Sequence, residues 1–214
     1  TRYSLQSRGL GDVYKRQEQY TRLFPIMIND WRTHWQEDFP FYYVQIAPYN
    51  YGIPPEDENS AALRDAQRKS LETKNTGMVV TLDIGNFTNI HPGNKQDVGK
   101  RLAGLALANN YGNEIIASGP LYKEHKIADN QLLLIFDHIG SGLEARDSKL
   151  SGFEIAGADK KFVRADAKII DNSIELSASA ITNPVYARYA WSDKGAASLF
   201  NKEGFPASSF TTEH

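Results

Sequence analysis

Two hydrophobic patterns divide the sequence near Asn113, and together they restrict the folds open to it. Before this residue, segments with apolar residues at helical spacing alternate with short, nearly continuous apolar runs. After it, short segments of alternating apolar and polar residues are separated by Gly, Asn and Asp. The first pattern is typical of βαβ units in a parallel sheet, and the second of antiparallel strands joined by turns. We therefore predict an α/β layer followed by an all-β part.

Five elements are predicted in the α/β layer, in the order helix, strand, helix, strand, helix. Apolar residues recur at helical spacing over residues 20–35, and residues 60–74 are rich in helix formers. Residues 39–47 and 77–84 are predicted to be strands buried on both faces, as in parallel sheets. A third helix is predicted to begin near Asn94, with apolar side chains on one face.

The all-β part is predicted to be a small antiparallel β-sandwich that packs rigidly behind the α/β layer. Its clearest strand segments are residues 132–137, 152–156, 161–170, 173–177 and 185–191. The boundary is predicted within 113–119, a connection too short and too apolar to be a flexible linker. This divides the native chain into an α/β domain over 18–112 and an all-β domain over 113–214.

Composition excludes several classes of partner and chemistry. The chain has 24 Lys and Arg against 26 Asp and Glu, so no surplus of positive charge attracts nucleic acid. Its longest apolar run, residues 132–136, is far shorter than the roughly 20 residues of a membrane-spanning helix. It has no cysteine, which excludes a disulfide scaffold, a thiol nucleophile and cysteine-bound zinc. We predict neither a nucleic-acid partner nor a membrane span.

Residues 1–17 are predicted not to be native. Residues 7–17 read as a translation of the transposase adapter used in short-read library preparation, in one frame. The segment also lacks the hydrophobic stretch and small-residue cleavage site of a secretory signal peptide. The chain from Glu18 onward is therefore expected to be a fragment whose gene was cut immediately upstream.

His91 is the strongest candidate for catalysis from position alone. It lies in the loop 83–92, between the second predicted strand and the helix that follows. In open α/β sheets the ligand crevice forms at the carboxyl ends of the strands, where a neutral imidazole can act as a general base. A loop histidine is more often an ordinary surface residue, so position alone leaves both interpretations open.

The remaining polar and aromatic candidates are weaker. His34, His125, His138 and His214 have neither an i, i+4 pairing nor a carboxylate at ligand spacing, so no metal site is predicted. Arg64 and Gln67 share a helical face and are candidates for holding the loop by hydrogen bonds. Four aromatic residues of the all-β part are candidates for stacking on a sugar ring: Tyr189, Trp191, Phe200 and Phe210. Alternating aromatic residues in a β-sandwich more often belong to its core.

Ordered sequence blocks, taken together, resemble one known family. Residues 23–32, 39–49 and 89–96 resemble the bacterial sialate O-acetylesterase family of SGNH-type hydrolases. Further blocks resemble that family's C-terminal β region: residues 118–122, 136–143, 152–157 and 201–208. The resemblance covers essentially all of 18–214.

The resemblance implies an incomplete flavodoxin-like α/β/α domain of the SGNH hydrolase kind, followed by the β-sandwich. It implies a carbohydrate esterase that removes acetyl groups from O-acetylated sugars, sialic acids included, through a serine acyl-enzyme. His91 matches the family's histidine and is expected to be the general base, with no metal or organic cofactor. It also implies a periplasmic or extracellular location.

The resemblance places the nucleophilic serine and most oxyanion donors upstream of Glu18, in a Gly-Gln-Ser-like block. No serine of this chain lies in a matching block, so none is nominated, and the fragment alone is expected to be inactive. The family usually reads Asp-Ile-His-Pro, whereas this chain has Asn89 in place of the Asp. An amide accepts a hydrogen bond but cannot offset an imidazolium charge, so the role of Asn89 is in doubt. Asp83 is the alternative acid, unless the partner is a glutamate upstream.

Two other functions stay open at this stage. One is a non-catalytic glycan-binding or accessory module that recognises sugars through its β part. The other is the same chemistry on acetylated xylan, an acetylxylan esterase.

Sequencing the source DNA upstream of the Glu18 codon tests these predictions. We expect an open frame with a Gly-Gln-Ser-like block and a Tyr-Gln-Gly-Glu segment beyond the adapter junction. A start codon close to Glu18, with neither block, would favour the accessory module instead.

Overall fold

The computed structural model describes residues 17–54 and 60–213. Residues 1–16 of the predicted adapter segment, and His214, lie outside the described residues.

The elements before residue 113 are α1 (Gln17–Trp35), β1 (Phe41–Val44), α2 (Ser60–Lys69) with a 3₁₀ turn (Ser70–Glu72), β2 (Thr76–Val79) and α3 (Lys95–Asn110). β1 and β2 pair in parallel, with Phe41 opposite Thr76. This confirms the predicted order and the parallel pairing.

Both parallel strands are shorter than predicted. At the carboxyl end of β1, side chains replace the partner strand as hydrogen-bond partners of the backbone. Gln45 N still donates to Val79 O at 2.9 Å, but the next amide, Ile46 N, donates to Gln67 Oε1 at 2.9 Å. Thr81 Oγ1 donates to the Gln45 carbonyl at 2.8 Å. The backbone groups remain satisfied although no strand continues there.

Ten short strands follow residue 113 in the described chain. They are β3 (Leu121–Ala128), β4 (Gln131–Asp137), β5 (Leu143–Ala145), β6 (Phe153–Ala156), β7 (Val163–Arg164), β8 (Asp166–Ile170), β9 (Ser173–Ser177), β10 (Tyr186–Tyr189), β11 (Leu199–Asn201) and β12 (Phe210–Thr211). They form sheets with strand orders β3-β4-β9-β8, β12-β10-β6-β7 and β11-β5. Every pairing among them is antiparallel, as predicted.

The prediction of a single strand over residues 161–170 is wrong. The segment is divided at Ala165: β7 pairs with β6, whereas β8 pairs with β9 in a different sheet. Ala165 N donates to Phe153 O at 3.0 Å, which fixes the crossing point. An apolar alternation continues through such a crossing, so the pattern alone does not reveal it.

One hydrophobic core joins the two parts of the chain. Buried residues of β1, β2 and the segment after β2 contribute to it, namely Tyr43, Met78, Val80 and Leu82. The β part contributes Leu132, Leu134, Phe136, Leu143, Phe153, Ile155, Ile174, Leu176, Ala187, Tyr189, Ala190, Leu199, Ala207 and Phe210. Because the same cluster contains residues from both parts, the predicted close packing of the two is observed.

Most of the aromatic residues considered for sugar stacking belong to this interior. Tyr189, Phe200 and Phe210 are at most 2% exposed. Phe210 stacks on Tyr122 with ring centroids 4.5 Å apart, an arrangement typical of core aromatics. Trp191 differs, since it is only half-buried and lines an open groove of the β part.

A fully buried arginine ties α2 to the C-terminal segment. Arg64 is 0% exposed, and its Nε donates to Ser209 Oγ at 2.9 Å. Its Nη2 donates to the carbonyls of Ala190, at 3.2 Å, and Ser192. Nη1 donates to Ser60 Oγ at 3.1 Å. A buried cation is tolerated only when its donors are satisfied, so these acceptors and the α2 helix hold one another in place.

Two glutamines extend this connection to the parallel strands. Gln45 Nε2 donates to the Arg64 carbonyl at 2.9 Å and to Ser208 Oγ at 2.7 Å. Gln67 accepts from Ile46, as described above. Arg64 and Gln67 thus hold the C-terminal segment and the end of β1, which differs from the predicted role of holding the loop 83–92. The reason is that α2 packs between these two segments.

Replacing Arg64 with methionine is expected to destabilise the protein by about 3 kcal/mol or more, because several buried acceptors lose their donor. Urea unfolding followed by circular dichroism measures this. The matched control is Arg164→Met on β7, where the arginine is exposed and the change should stay within about 0.5 kcal/mol. Equal effects of the two changes would contradict the role given to Arg64.

Candidate active site

The loop that carries His91 connects the carboxyl end of the β2 segment with α3. It leaves the core after Leu82 with a turn in which Ile84 N donates to Thr81 O at 3.2 Å. It ends at Asn94, whose Oδ1 accepts from Asp97 N at 3.2 Å and caps α3. The predicted helix start near Asn94 is therefore confirmed.

Asparagine side chains order the centre of the loop. Asn86 Oδ1 accepts from the amides of Thr88, at 2.9 Å, and Asn89, at 3.1 Å. Asn89 Oδ1 in turn accepts from His91 N at 2.9 Å. Such turns mimic backbone hydrogen bonds and hold a loop without help from a neighbouring element. Asn89 is therefore joined to the backbone of His91.

The imidazole of His91 is exposed to solvent. Within 17–54 and 60–213, neither of its ring nitrogens has a hydrogen-bond partner, and Asn89 reaches only the amide. The ring is thus accessible to a substrate or to another part of a larger protein. No acid orients it in the described part of the chain.

Asp83 lies at the start of the same loop but is engaged by arginine. Arg101 of α3 donates from Nη1 to Asp83 Oδ1 at 2.8 Å and from Nη2 to Oδ2 at 2.6 Å. Nη1 also donates to Val80 O at 2.8 Å. The Asp83 side chain is only 5% exposed, and a bidentate pair of this kind is strong and directional. Asp83 therefore fastens the loop to α3 and makes no hydrogen bond to His91.

The buried serine hydroxyls of the described chain have structural partners. The Ser60 hydroxyl donates to the Asp193 carboxylate. The other buried hydroxyls donate to backbone carbonyls, namely those of Ser70, Ser198, Ser208 and Ser209. No hydrogen bond between a serine hydroxyl and His91 occurs in the described residues.

A cleft of about 470 Å³ adjoins the start of the loop, and no sequence pattern predicts it. It is lined by Asp83, Ile84, Asp97, Lys100, Arg101, Arg146, Gly204 and Phe205. Arg101 and Arg146 lie far from Asp83 along the chain, so only the tertiary fold brings the three together. No three His, Asp or Glu side chains of the described residues cluster closely enough to hold a metal ion.

The edge of β1 that faces away from β2 has no partner strand among the described residues. Apolar side chains on nearby α1 are also exposed, including Leu23 at 60% and Trp35 at 66%. No helix in the described chain is both long and apolar enough to cross a membrane. The α/β layer thus has an open side.

Comparison with known proteins gives two informative relatives, while no family model matches the chain. The chain is 31% identical to mouse sialate O-acetylesterase over 80% of its own length. It also matches the crystal structure of a carbohydrate acetylesterase from Xanthomonas citri with a TM-score of 0.86 and 38% identity over 91% of its length. It spans 36% of the mouse protein and 46% of the bacterial chain.

The sequence comparison and the structure comparison both match the chain to acetylesterases. The bacterial match extends over both the α/β part and the β part, since it covers nearly all of the chain. An identity of 38% at this TM-score reflects common ancestry as well as a shared fold. Over most of its own length, therefore, the chain is homologous to the sialate O-acetylesterase family.

Proposed function

We propose that this chain is part of a carbohydrate O-acetylesterase and carries its catalytic histidine. The observation that supports this most directly is the exposed imidazole of His91, on a loop at the carboxyl end of β2, in a chain related to two acetylesterases. The substrate would be an acetyl ester on a sugar. The nucleophilic serine and most oxyanion donors would come from sequence outside this chain, so the chain alone would be inactive.

In the proposed mechanism, the serine attacks the acetyl carbonyl while neutral His91 accepts its proton. The oxyanion of the tetrahedral intermediate is held by hydrogen-bond donors. When the intermediate collapses, the bond between the acetyl carbon and the sugar oxygen breaks, and that oxygen takes the proton from the His91 imidazolium and leaves as the sugar hydroxyl. Water then repeats the sequence on the acetyl-enzyme. An unpartnered, exposed imidazole suits this task, because the nucleophile has to reach it from another segment.

Asn89 and Asp83 are given positioning roles in this proposal. Asn89 fixes the backbone of His91 but supplies no negative charge for an imidazolium. To accept a proton from the His91 ring, Asp83 would have to leave two short hydrogen bonds with Arg101. We therefore place the orienting acid outside the described residues and assign Asp83 to anchoring the loop.

The open edge of β1 supports a proposal about the fold of the whole protein. An unpaired β1 edge beside exposed apolar residues of α1 is what an incomplete flavodoxin-like α/β/α layer would present. We propose that further parallel strands complete this SGNH-type sheet in the whole protein. The all-β domain proposed over 113–214 would then be a sandwich behind it, with the two four-stranded sheets as its layers.

A second candidate function rests on a groove of about 910 Å³ in the β part. Half-buried Trp191 lines it together with four cationic side chains: Lys149, Arg164, Lys168 and Lys194. An aromatic surface with polar neighbours is suited to binding a glycan. A non-catalytic glycan-binding module would use this groove and would need no histidine at position 91.

His91→Ala in a protein extended with its native upstream sequence is expected to lower kcat/KM on acetylated sugars by at least about 100-fold, because the general base is lost. Release of acetate from O-acetylated sialic acid and from acetylated xylan measures this and separates the two substrates. His34→Ala on α1, an exposed histidine away from the loop, is the control. Unchanged turnover in His91→Ala would remove this residue from the mechanism.

Asp83→Asn and Arg101→Gln, each in the extended protein, are expected to lower kcat by similar factors, because both break the same anchor. Both should also speed amide hydrogen exchange in residues 84–94. If Asp83 is instead the acid of His91, Asp83→Asn alone will lower kcat strongly and change the pH profile. The paired comparison therefore separates positioning from direct catalysis.

A further inference from the structure

One aspartate of the β part is attached to the start of a helix in the α/β layer. Asp193 lies shortly after β10 and is only 1% exposed. Its Oδ1 accepts from Ser60 N at 2.9 Å and from Ser60 Oγ at 2.6 Å. Because Ser60 is the first residue of α2, the carboxylate meets the positive end of the helix dipole, where an acid is favourable.

The residues before Asp193 are held on the same helix. Arg64 Nη2 donates to the carbonyls of Ala190 and Ser192, and Nη1 of the same arginine donates to Ser60 Oγ at 3.1 Å. The segment 190–193 is therefore fastened to α2 through both of these α2 side chains. This attachment fixes the position of the Asp193 backbone as well as its carboxylate.

The Asp193 backbone in turn holds the segment that follows β1. Tyr49 N donates to Asp193 O at 3.0 Å. Tyr49 belongs to the connection that leaves the carboxyl end of β1, and the next residue, Asn50, makes a local turn in which its Oδ1 accepts from Gly52 N at 3.2 Å. One backbone hydrogen bond of this connection thus comes from the β part.

The same connection contacts the loop that carries His91. Asn50 N donates to Phe87 O at 3.1 Å. Pro48 lies directly against Gly85, where an added β-carbon would be 2.6 Å from Pro48 Cγ and Cδ. That distance is well inside the roughly 3.5–4.0 Å at which carbon atoms pack. The two segments are therefore in close contact, and a shift of one displaces the other.

We propose that Asp193 is a positioning residue of the β part, which sets the place of His91 through residues 48–50. The inference rests on the proposed acetylesterase function and gives the β part a role in it. The contacts run from the Asp193 carboxylate to Ser60, from Asp193 O to Tyr49 N, and from the adjoining amide to the loop.

This connection supports the centre of the loop. The ends of the loop are fastened by the anchors described above, whereas Asn50 N meets the loop at Phe87, four residues before His91. A displaced imidazole would be out of line with the nucleophile, and a misplacement of about 1 Å lowers the rate of a reaction by up to about 100-fold. Loss of the Asp193 side chain should therefore slow turnover from a distance.

Hydrogen exchange of the chain itself tests the connection without any turnover. In Asp193→Ala we expect the exchange of residues 49–50 and 84–94 to speed up by a larger factor than that of β4 and β9, because the change loosens one region. Asp193→Asn keeps an oxygen that can accept from Ser60 and should resemble the native chain. Asp166→Ala, which removes an exposed aspartate on β8, is the control.

Turnover of the protein extended with its native upstream sequence tests the consequence for His91. We expect Asp193→Ala to lower kcat by about tenfold and to change KM by less than about twofold, because the base is misaligned while substrate binding is retained. The pH profile of kcat should keep its midpoint, since the position of the imidazole changes and its charge environment does not. Asp193→Asn should recover most of the lost kcat.

A double-mutant cycle with Gly85→Ala tests whether Asp193 acts through the contact between the two segments. The added β-carbon would press on Pro48, so this variant is also expected to lower kcat. If both changes displace the same loop, the double variant should lose less activity than the product of the two single losses.

Four results would overturn the proposal: the same acceleration of exchange throughout the chain, an equal loss of kcat in Asp193→Asn and Asp193→Ala, a shifted pH midpoint, or independent effects of Asp193→Ala and Gly85→Ala. Failure of the acetylesterase proposal is distinguishable, because it is read from acetate release by the native extended protein. An extended protein that releases no acetate, in a chain whose residues 84–94 respond to Asp193→Ala, would retain the positioning of the loop and lose the esterase function.

Discussion

Satisfying the buried guanidinium of Arg64 is the constraint on which the association of the two parts depends. A cation with no exposed surface requires acceptors for its donors, and these come from Ser60, Ser209 and the carbonyls of residues 190 and 192. If the C-terminal segment separated from α2, the Arg64 guanidinium would lose most of its acceptors. Gln45 adds the end of β1 to the same connection.

The loop that carries His91 rests on this scaffold and is fastened at both ends. Its first end is held by the pair between Asp83 and Arg101, and its second by the Asn94 cap of α3. Between these points, asparagine side chains satisfy the backbone amides. This arrangement fixes the path of the loop while leaving the imidazole exposed, as the proposed role of His91 as general base requires.

Several features were predictable because they depend on local spacing. The helices, the parallel pair and the antiparallel strands follow from hydrophobic periodicity, and the α3 start follows from its asparagine cap. The split at Ala165 was not predictable, because apolar alternation persists while the chain passes from one sheet to the other. The strand ends were missed for a related reason: Gln67 and Thr81 replace the ladder from elsewhere in the sequence.

The sequence by itself determined the class of each segment, the position of His91 between a strand and a helix, and, through ordered blocks, the family. These properties are local, or are recorded in the order of residues. Only the tertiary structure decided that Asp83 pairs with Arg101, and that Arg146 stacks on Phe200 beside it. Charge pairing depends on distance in space: α3 brings Arg101 to Asp83, and the fold of the β part brings Arg146 within 3.9 Å of the same carboxylate.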